Sequence, residues 1–145
     1  MVNDESDRGL SGQPAPAGRK CVLVVEDNPL NMKLFAAMVA AQGYLVLQAT
    51  DGPLGLDLAR RQHPDLIVMD VQLPGLSGLE VMRSLKADEG TSDIPIIATS
   101  AYTQQDDVER LRASGCDGFM AKPIAIAEFL AMIEACIAER RAATW

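Results

Sequence analysis

No stretch of this chain approaches the roughly 18 consecutive apolar residues that a membrane-spanning helix needs. Arg60 and Arg61 interrupt one of the richest stretches and Glu80 another. The amino-terminal segment also lacks the apolar centre of a secretory signal, and Asp4, Glu5 and Asp7 stand where such a signal carries positive charge. These absences predict a cytoplasmic protein with no membrane insertion. A concentrated basic face is missing too: Arg60/Arg61, Arg110/Arg112 and Arg140/Arg141 lie apart, with acids between them, and the net charge is -7. Binding to nucleic acid draws on such a face to displace counterions from phosphates, so no nucleic-acid partner is expected. Cys21, Cys116 and Cys136 are widely spaced, and no close cysteine/histidine spacing suggests zinc. They are expected to be reduced thiols acting as small apolar core residues.

What the chain does have is one domain's worth of apolar sequence. Its 145 residues, 48% of them hydrophobic, suffice for a single buried core. Residues 1–19, rich in Gly, Pro, Ser, Ala and Asp, read as a flexible tail. Residues 20–140 read as the domain and 141–145 as a short second tail. Within the domain, short apolar runs alternate with longer amphipathic segments. The runs are Cys21–Val25, Leu45–Ala49, Leu66–Met69, Ile94–Thr99 and Gly118–Ala121. Three of them are continuously apolar rather than alternating, as strands covered on both faces of a parallel sheet are.

The intervening segments read as helices. The first has Asn28 as its N-cap, Pro29 at its first position and Gly43 beyond its last turn. Its Leu30, Leu34, Ala37, Met38 and Ala41 fall on one face and predict its apolar side. Ser77 and Glu80 form a capping box opening the third helix, and Gly115 closes the fourth, which carries Val108 and Leu111. In the fifth, Ile126, Phe129, Leu130, Ile133 and Ile137 make the expected buried stripe. Five strands alternating with five helices predict a doubly wound α/β fold, (βα)5, with a five-stranded parallel sheet. Ligands of such folds bind at the carboxyl ends of the strands.

Polar residues gather at those ends. The first run is followed by Glu26-Asp27, the third by Asp70, the fourth by Ser100 and the fifth by Lys122-Pro123. Three carboxylates brought together repel, so a proton or a cation has to join them. An all-oxygen set without His or Cys favours a hard cation, and magnesium suits it. Lys122 adds a flexible positive charge, Ser100 a hydroxyl, and the loops after Asp70 and Ser100 offer backbone amides. A cation, a lysine and a hydroxyl around one carboxylate are the parts that stabilise phosphoryl transfer onto it.

From about Lys20 to Ala138 the chain resembles the CheY-like receiver domain of two-component response regulators. The resemblance rests on Val24-Val25-Glu26-Asp27-Asn28, Met69-Asp70-Val71-Gln72-Leu73-Pro74-Gly75, Thr99-Ser100-Ala101 and Lys122-Pro123, in the family's order and spacing. The stretch Glu26-Asp27-Asn28-Pro29-Leu30-Asn31-Met32-Lys33-Leu34-Phe35 is most similar to the single-domain DivK type. The resemblance implies a flavodoxin-like strand order 2-1-3-4-5 and a set of roles. Asp70 would take a phosphoryl group from a phosphohistidine on a histidine kinase or phosphotransfer protein. Asp27, Asp70 and the Gln72 carbonyl would ligate Mg2+, with Glu26 acting through water, and Lys122 and Ser100 would hold phosphoryl oxygens. Ser100 and Phe119 would be the switch pair, and Gln72 and Tyr102 would tune the lifetime of the phosphoryl group. A cis Lys122–Pro123 bond is expected at the site.

The chain ends soon after the fifth helix, so the expected output is contact with a downstream protein target, made by a monomer. The expected output face spans the fourth helix, fifth strand and fifth helix, with Tyr102, Asp106, Arg110, Arg112 and Glu128 as candidates. His63 reads as a surface loop residue, without the helical-bundle context of a phosphodonor. Two other functions use similar parts: a receiver-like scaffold that signals without phosphorylation, and a small haloacid-dehalogenase-type phosphatase. The phosphatase would carry its nucleophile on the first strand, where this chain has its acidic pair, and would need a cap domain. A flavodoxin-like electron carrier is disfavoured because Glu26 and Asp27 would repel its cofactor's phosphate.

Overall fold

Strands apolar at nearly every position can be covered only from both sides, and this chain builds five of them into one parallel sheet. The computed structural model describes residues 19–101 and 105–138, with side chains at 105–108 outside the description. In chain order the elements are β1 (Cys21–Val25), α1 (Pro29–Ala41), β2 (Leu45–Ala49), α2 (Gly52–Gln62) and β3 (Leu66–Asp70). They continue with α3 (Gly78–Ala87), β4 (Ile96–Ser100), α4 (Gln105–Ala113), β5 (Gly118–Ala121) and α5 (Ile126–Ala138). The strands lie in the order β2-β1-β3-β4-β5, so the expected doubly wound α/β architecture, with order 2-1-3-4-5, is the one observed. The expected tails lie outside the described residues except for Arg19, whose Nε donates to the Gly43 carbonyl at 3.2 Å.

Alternate residues of the strands feed two separate cores. Leu23, Val25, Ile67, Met69, Ile96 and Ala98 point into one, which α2, α3 and α4 close with Ala59, Val81, Met82, Leu85 and Leu111. Val22, Val24, Leu66, Val68 and Ile97 point into the other, beneath Met32, Phe35 and Val39 of α1 and Phe129 and Ile133 of α5. In the second core the Phe35 and Phe129 rings meet with centroids 5.3 Å apart. Cys21 and Cys116 are buried and Cys136 is half-buried, and all three are thiols. Burial pushes Cys21 and Cys116 up to about 11.

Two helices turn differently from expectation. The buried stripe of α1 is Met32, Phe35 and Val39, while Leu30 and Leu34 are 67% and 56% exposed. Only Asn31 and Lys33 are polar in this helix, so helical periodicity alone does not select one side. The side that carries Met32, Phe35 and Val39 is the one that fills the core. In α5, Phe129 and Ile133 are buried and Leu130 and Ile137 half-buried, but Ile126, in the first turn at the rim of the sheet, is 58% exposed. The fourth strand also begins later than Ile94. The Ile94 amide donates to Thr91 in a turn, and Pro95 has no N–H to give to a ladder.

Candidate active site

Strand register brings the polar residues level at one edge of the sheet. Val25 of β1 pairs with Met69 of β3, so Glu26 and Asp70 leave their strands side by side. Asp70 pairs with Thr99, and Ser100 with Ala121, which sets Ser100 and Lys122 on the same rim. The first and third strands thus deliver their acidic residues where their ladders end, and the chain then turns away into a capped helix. Asn28 caps α1, its Oδ1 accepting from the Asn31 amide at 3.0 Å, and Ser77 and Glu80 cap α3 reciprocally.

The carboxylates of Glu26, Asp27 and Asp70 each offer an oxygen, and the three lie within 4.8 Å of one another. Glu26 and Asp70 are buried, at 1% and 3% exposure, whereas Asp27 is exposed. The Lys122 ammonium bridges the buried pair, 3.1 Å from Glu26 Oε1 and 3.4 Å from Asp70 Oδ2. Glu26 Oε2 also accepts from the Asn28 amide at 3.1 Å, and Asp70 Oδ1 from the Gln72 amide at 3.0 Å. Burial, and then the neighbouring Asp70 carboxylate, push the Glu26 carboxyl above its ordinary value, and the Asn28 amide and Lys122 pull it back. Crowded negative charge on an all-oxygen set, open to solvent on the Asp27 side, fits a hard divalent cation that keeps some of its waters.

Ser100 is buried at the end of β4. Its Oγ accepts a 2.7 Å bond from Gln72 Nε2, and Gln72 Oε1 accepts from the Ala101 amide at 3.1 Å. The loop after Asp70 is therefore tied to the end of β4 by one side chain. The Lys122–Pro123 peptide is cis, as expected. Phe119 is half-buried against the core beneath α2, α3 and α4. His63 is exposed and ends α2 in a left-handed conformation, with φ of 50°. Of the expected output residues, Arg110, Arg112 and Glu128 are exposed. Tyr102 and the side chain of Asp106 lie outside the described residues.

Besides the reach of the Gln72 side chain across to Ser100 and Ala101, two features of the site escaped sequence reasoning. Gly78, the first residue of α3, packs on the backbone of Asp70 and Val71 so closely that a Cβ there would lie 2.8 Å from Val71 Cα. A glycine after a capping serine carries no mark of that contact in sequence. The second is an apolar groove of about 550 Å³ beside the acidic cluster. Leu34, Phe35, Pro123, Ile124 and Ile126 line it, and Lys122 joins it to the carboxylates.

Residues 22–134 match the model of the response regulator receiver domain. The polar-differentiation response regulator DivK of Brucella ovis is 47% identical over 120 residues, covering 83% of this chain and 98% of that protein. DivK of Brucella anthropi is 45% identical over the same length. Among solved structures, the receiver domain of sensor histidine kinase PA1611 from Pseudomonas aeruginosa PAO1 superposes with a TM-score of 0.78 at 36% identity. The match covers 83% of this chain and 99% of that one, and that structure is described with a magnesium ion coordinated in its active-site cleft. A CheY-like receiver domain from Methanospirillum hungatei, 20% identical with a TM-score of 0.79, shares the fold.

Proposed function

The chain belongs to the response regulator receiver domain family, and we propose that Asp70 is its phosphoryl acceptor, charged from a phosphohistidine in a magnesium-dependent reaction. What supports this most is the company Asp70 keeps: two further carboxylates, the Lys122 ammonium and, across Gln72, the Ser100 hydroxyl. A carboxylate oxygen of Asp70 attacks phosphorus, and the new O–P bond replaces the P–N bond to the donor imidazole. The imidazole leaves with the electron pair and is protonated. Lys122, already held between Glu26 and Asp70, has only to turn its ammonium toward the arriving phosphoryl oxygens. The Ser100 hydroxyl and Ala101 amide are the next donors along the rim.

Asp27, Asp70 and the Gln72 carbonyl would hold Mg2+, with Glu26 acting through water. The ion would neutralise charge on the phosphoryl oxygens. The magnesium reported for the Pseudomonas relative supports the same ion here. Phosphorylation draws Ser100 toward Asp70, and Phe119 turns inward into the space that Ser100 leaves. That changes the face of α4, β5 and α5, where Arg110, Arg112 and Glu128 meet a downstream protein. The chain is then a signalling switch that catalyses its own phosphorylation and the later hydrolysis of the aspartyl phosphate to inorganic phosphate. Its donor is a histidine kinase or phosphotransfer protein, which the exposed Leu34 and Ile126 beside Lys122 would receive.

Incubation with magnesium and acetyl phosphate should add one phosphoryl group, read by intact mass, and chelation of magnesium should abolish the gain. A chain that gains no mass from either acetyl phosphate or a phosphohistidine protein contradicts the proposal.

A further inference from the structure

We propose that the Gln72 side chain is a latch that keeps Ser100 and the Ala101 amide from the phosphoryl site until Asp70 is phosphorylated. The inference rests on the phosphoacceptor reading above and assigns that site its resting-state restraint. Both ends of the carboxamide are in use: Nε2 donates to Ser100 Oγ at 2.7 Å, and Oε1 accepts from the Ala101 N–H at 3.1 Å. The same residue's backbone N–H donates to Asp70 Oδ1 at 3.0 Å. Gln72 thus spans the gap between the acceptor carboxylate and the end of β4, where it takes up the Ala101 N–H and holds the Ser100 oxygen on its own amide.

An anion on Asp70 and the carboxamide of Gln72 compete for the Ala101 N–H, because one amide hydrogen serves one strong acceptor. Ser100 meets a similar conflict, since its hydroxyl has to move from the Gln72 amide toward the new anion. Phosphorylation therefore proceeds with release of Gln72, and apparent affinity for the phosphoryl group scales with the fraction of molecules already released. Gln72 is a positioning residue: it acts on Asp70 chemistry through Ser100 and Ala101. Its length matters, because the stem reaches from the loop after β3 across to β4.

Beryllofluoride with magnesium mimics an aspartyl phosphate without covalent chemistry, and calorimetric titration reads its affinity. Gln72→Met keeps the length of the side chain and the backbone carbonyl while removing both hydrogen bonds. The latch predicts that Gln72→Met binds beryllofluoride about five- to tenfold more tightly than the native chain. It also predicts a smaller gain when Gln72→Met is added to Ser100→Ala, because one of the latched groups is then gone. A purely structural role would lower unfolding stability without tightening the ligand. Equal or weaker beryllofluoride binding by Gln72→Met overturns the latch. So does a loss of affinity that follows a loss of affinity for magnesium alone, which would make the side chain a support of the metal loop. If the native chain itself binds no beryllofluoride in magnesium, the phosphoacceptor reading falls and the latch falls with it.

Discussion

Gly78 connects the capping of α3 to the placement of Asp70. Its amide donates to the Val71 carbonyl at 3.2 Å, and its missing side chain lets the helix seat directly on the backbone that carries the acceptor. Gly78→Ala forces a methyl group into that contact, against main chain that has little freedom to give. The expected cost is about 1–3 kcal/mol, read as a lowered urea midpoint at unchanged slope. A stability within about 0.5 kcal/mol of the native chain would show that α3 can shift without strain. At this scale the acidic, hydroxyl and lysine residues were legible in sequence, because each is polar directly after an apolar strand. Gly78 and the reach of the Gln72 side chain were not, since both are set by contacts between segments distant along the chain.

α1 shows how an element can be recognised correctly and still be turned the wrong way. Asn28, Pro29 and Gly43 mark its ends because caps are local chemistry, and the structure keeps all three in those roles. Its buried side is decided by what it packs against, and on a helix apolar nearly all round that is a tertiary matter. Phe35 meets Phe129 of α5, and Leu34, one position earlier, faces the groove beside Lys122. Phe35→Ala should therefore cost about 3–5 kcal/mol in denaturant unfolding. Leu34→Asp should change stability by no more than about 0.5 kcal/mol. If a phosphohistidine protein docks on this face, Leu34→Asp should slow transfer from that protein while acetyl phosphate still charges Asp70 at the native rate. Equal slowing with both donors would place the effect in the site rather than in docking. The fifth helix repeats the lesson at Ile126, which fits the apolar periodicity yet sits beyond the edge of the sheet.

For the whole molecule, the continuous apolar strands carried the most information. They require cover on both faces, which requires helical crossovers, and those put every strand's carboxyl end on one rim. The fold and the place of the site were legible for that reason. Among the described residues, no helix is long and apolar enough to cross a membrane. The register that sets Glu26 beside Asp70 comes from the pairing of β1 with β3, and it makes three carboxylates a single cluster. So crowded a set of carboxylates, bridged by one lysine and with Glu26 and Asp70 buried, favours an acceptor over a scaffold that signals without phosphorylation. A small phosphatase would release inorganic phosphate from simple phosphate esters. The acceptor reading instead predicts that the chain takes its phosphoryl group from a phosphohistidine and shows no turnover of simple phosphate esters.

The most direct measurement is to trap that group where it forms. Borohydride reduces an aspartyl phosphate to homoserine and leaves ordinary aspartate untouched, so peptide mass spectrometry after charging in magnesium identifies the residue. Homoserine at position 70, and its absence when magnesium is chelated, is the result the account predicts. Homoserine at another acidic residue, or an unreduced Asp70 in a chain that has gained phosphate, would contradict it.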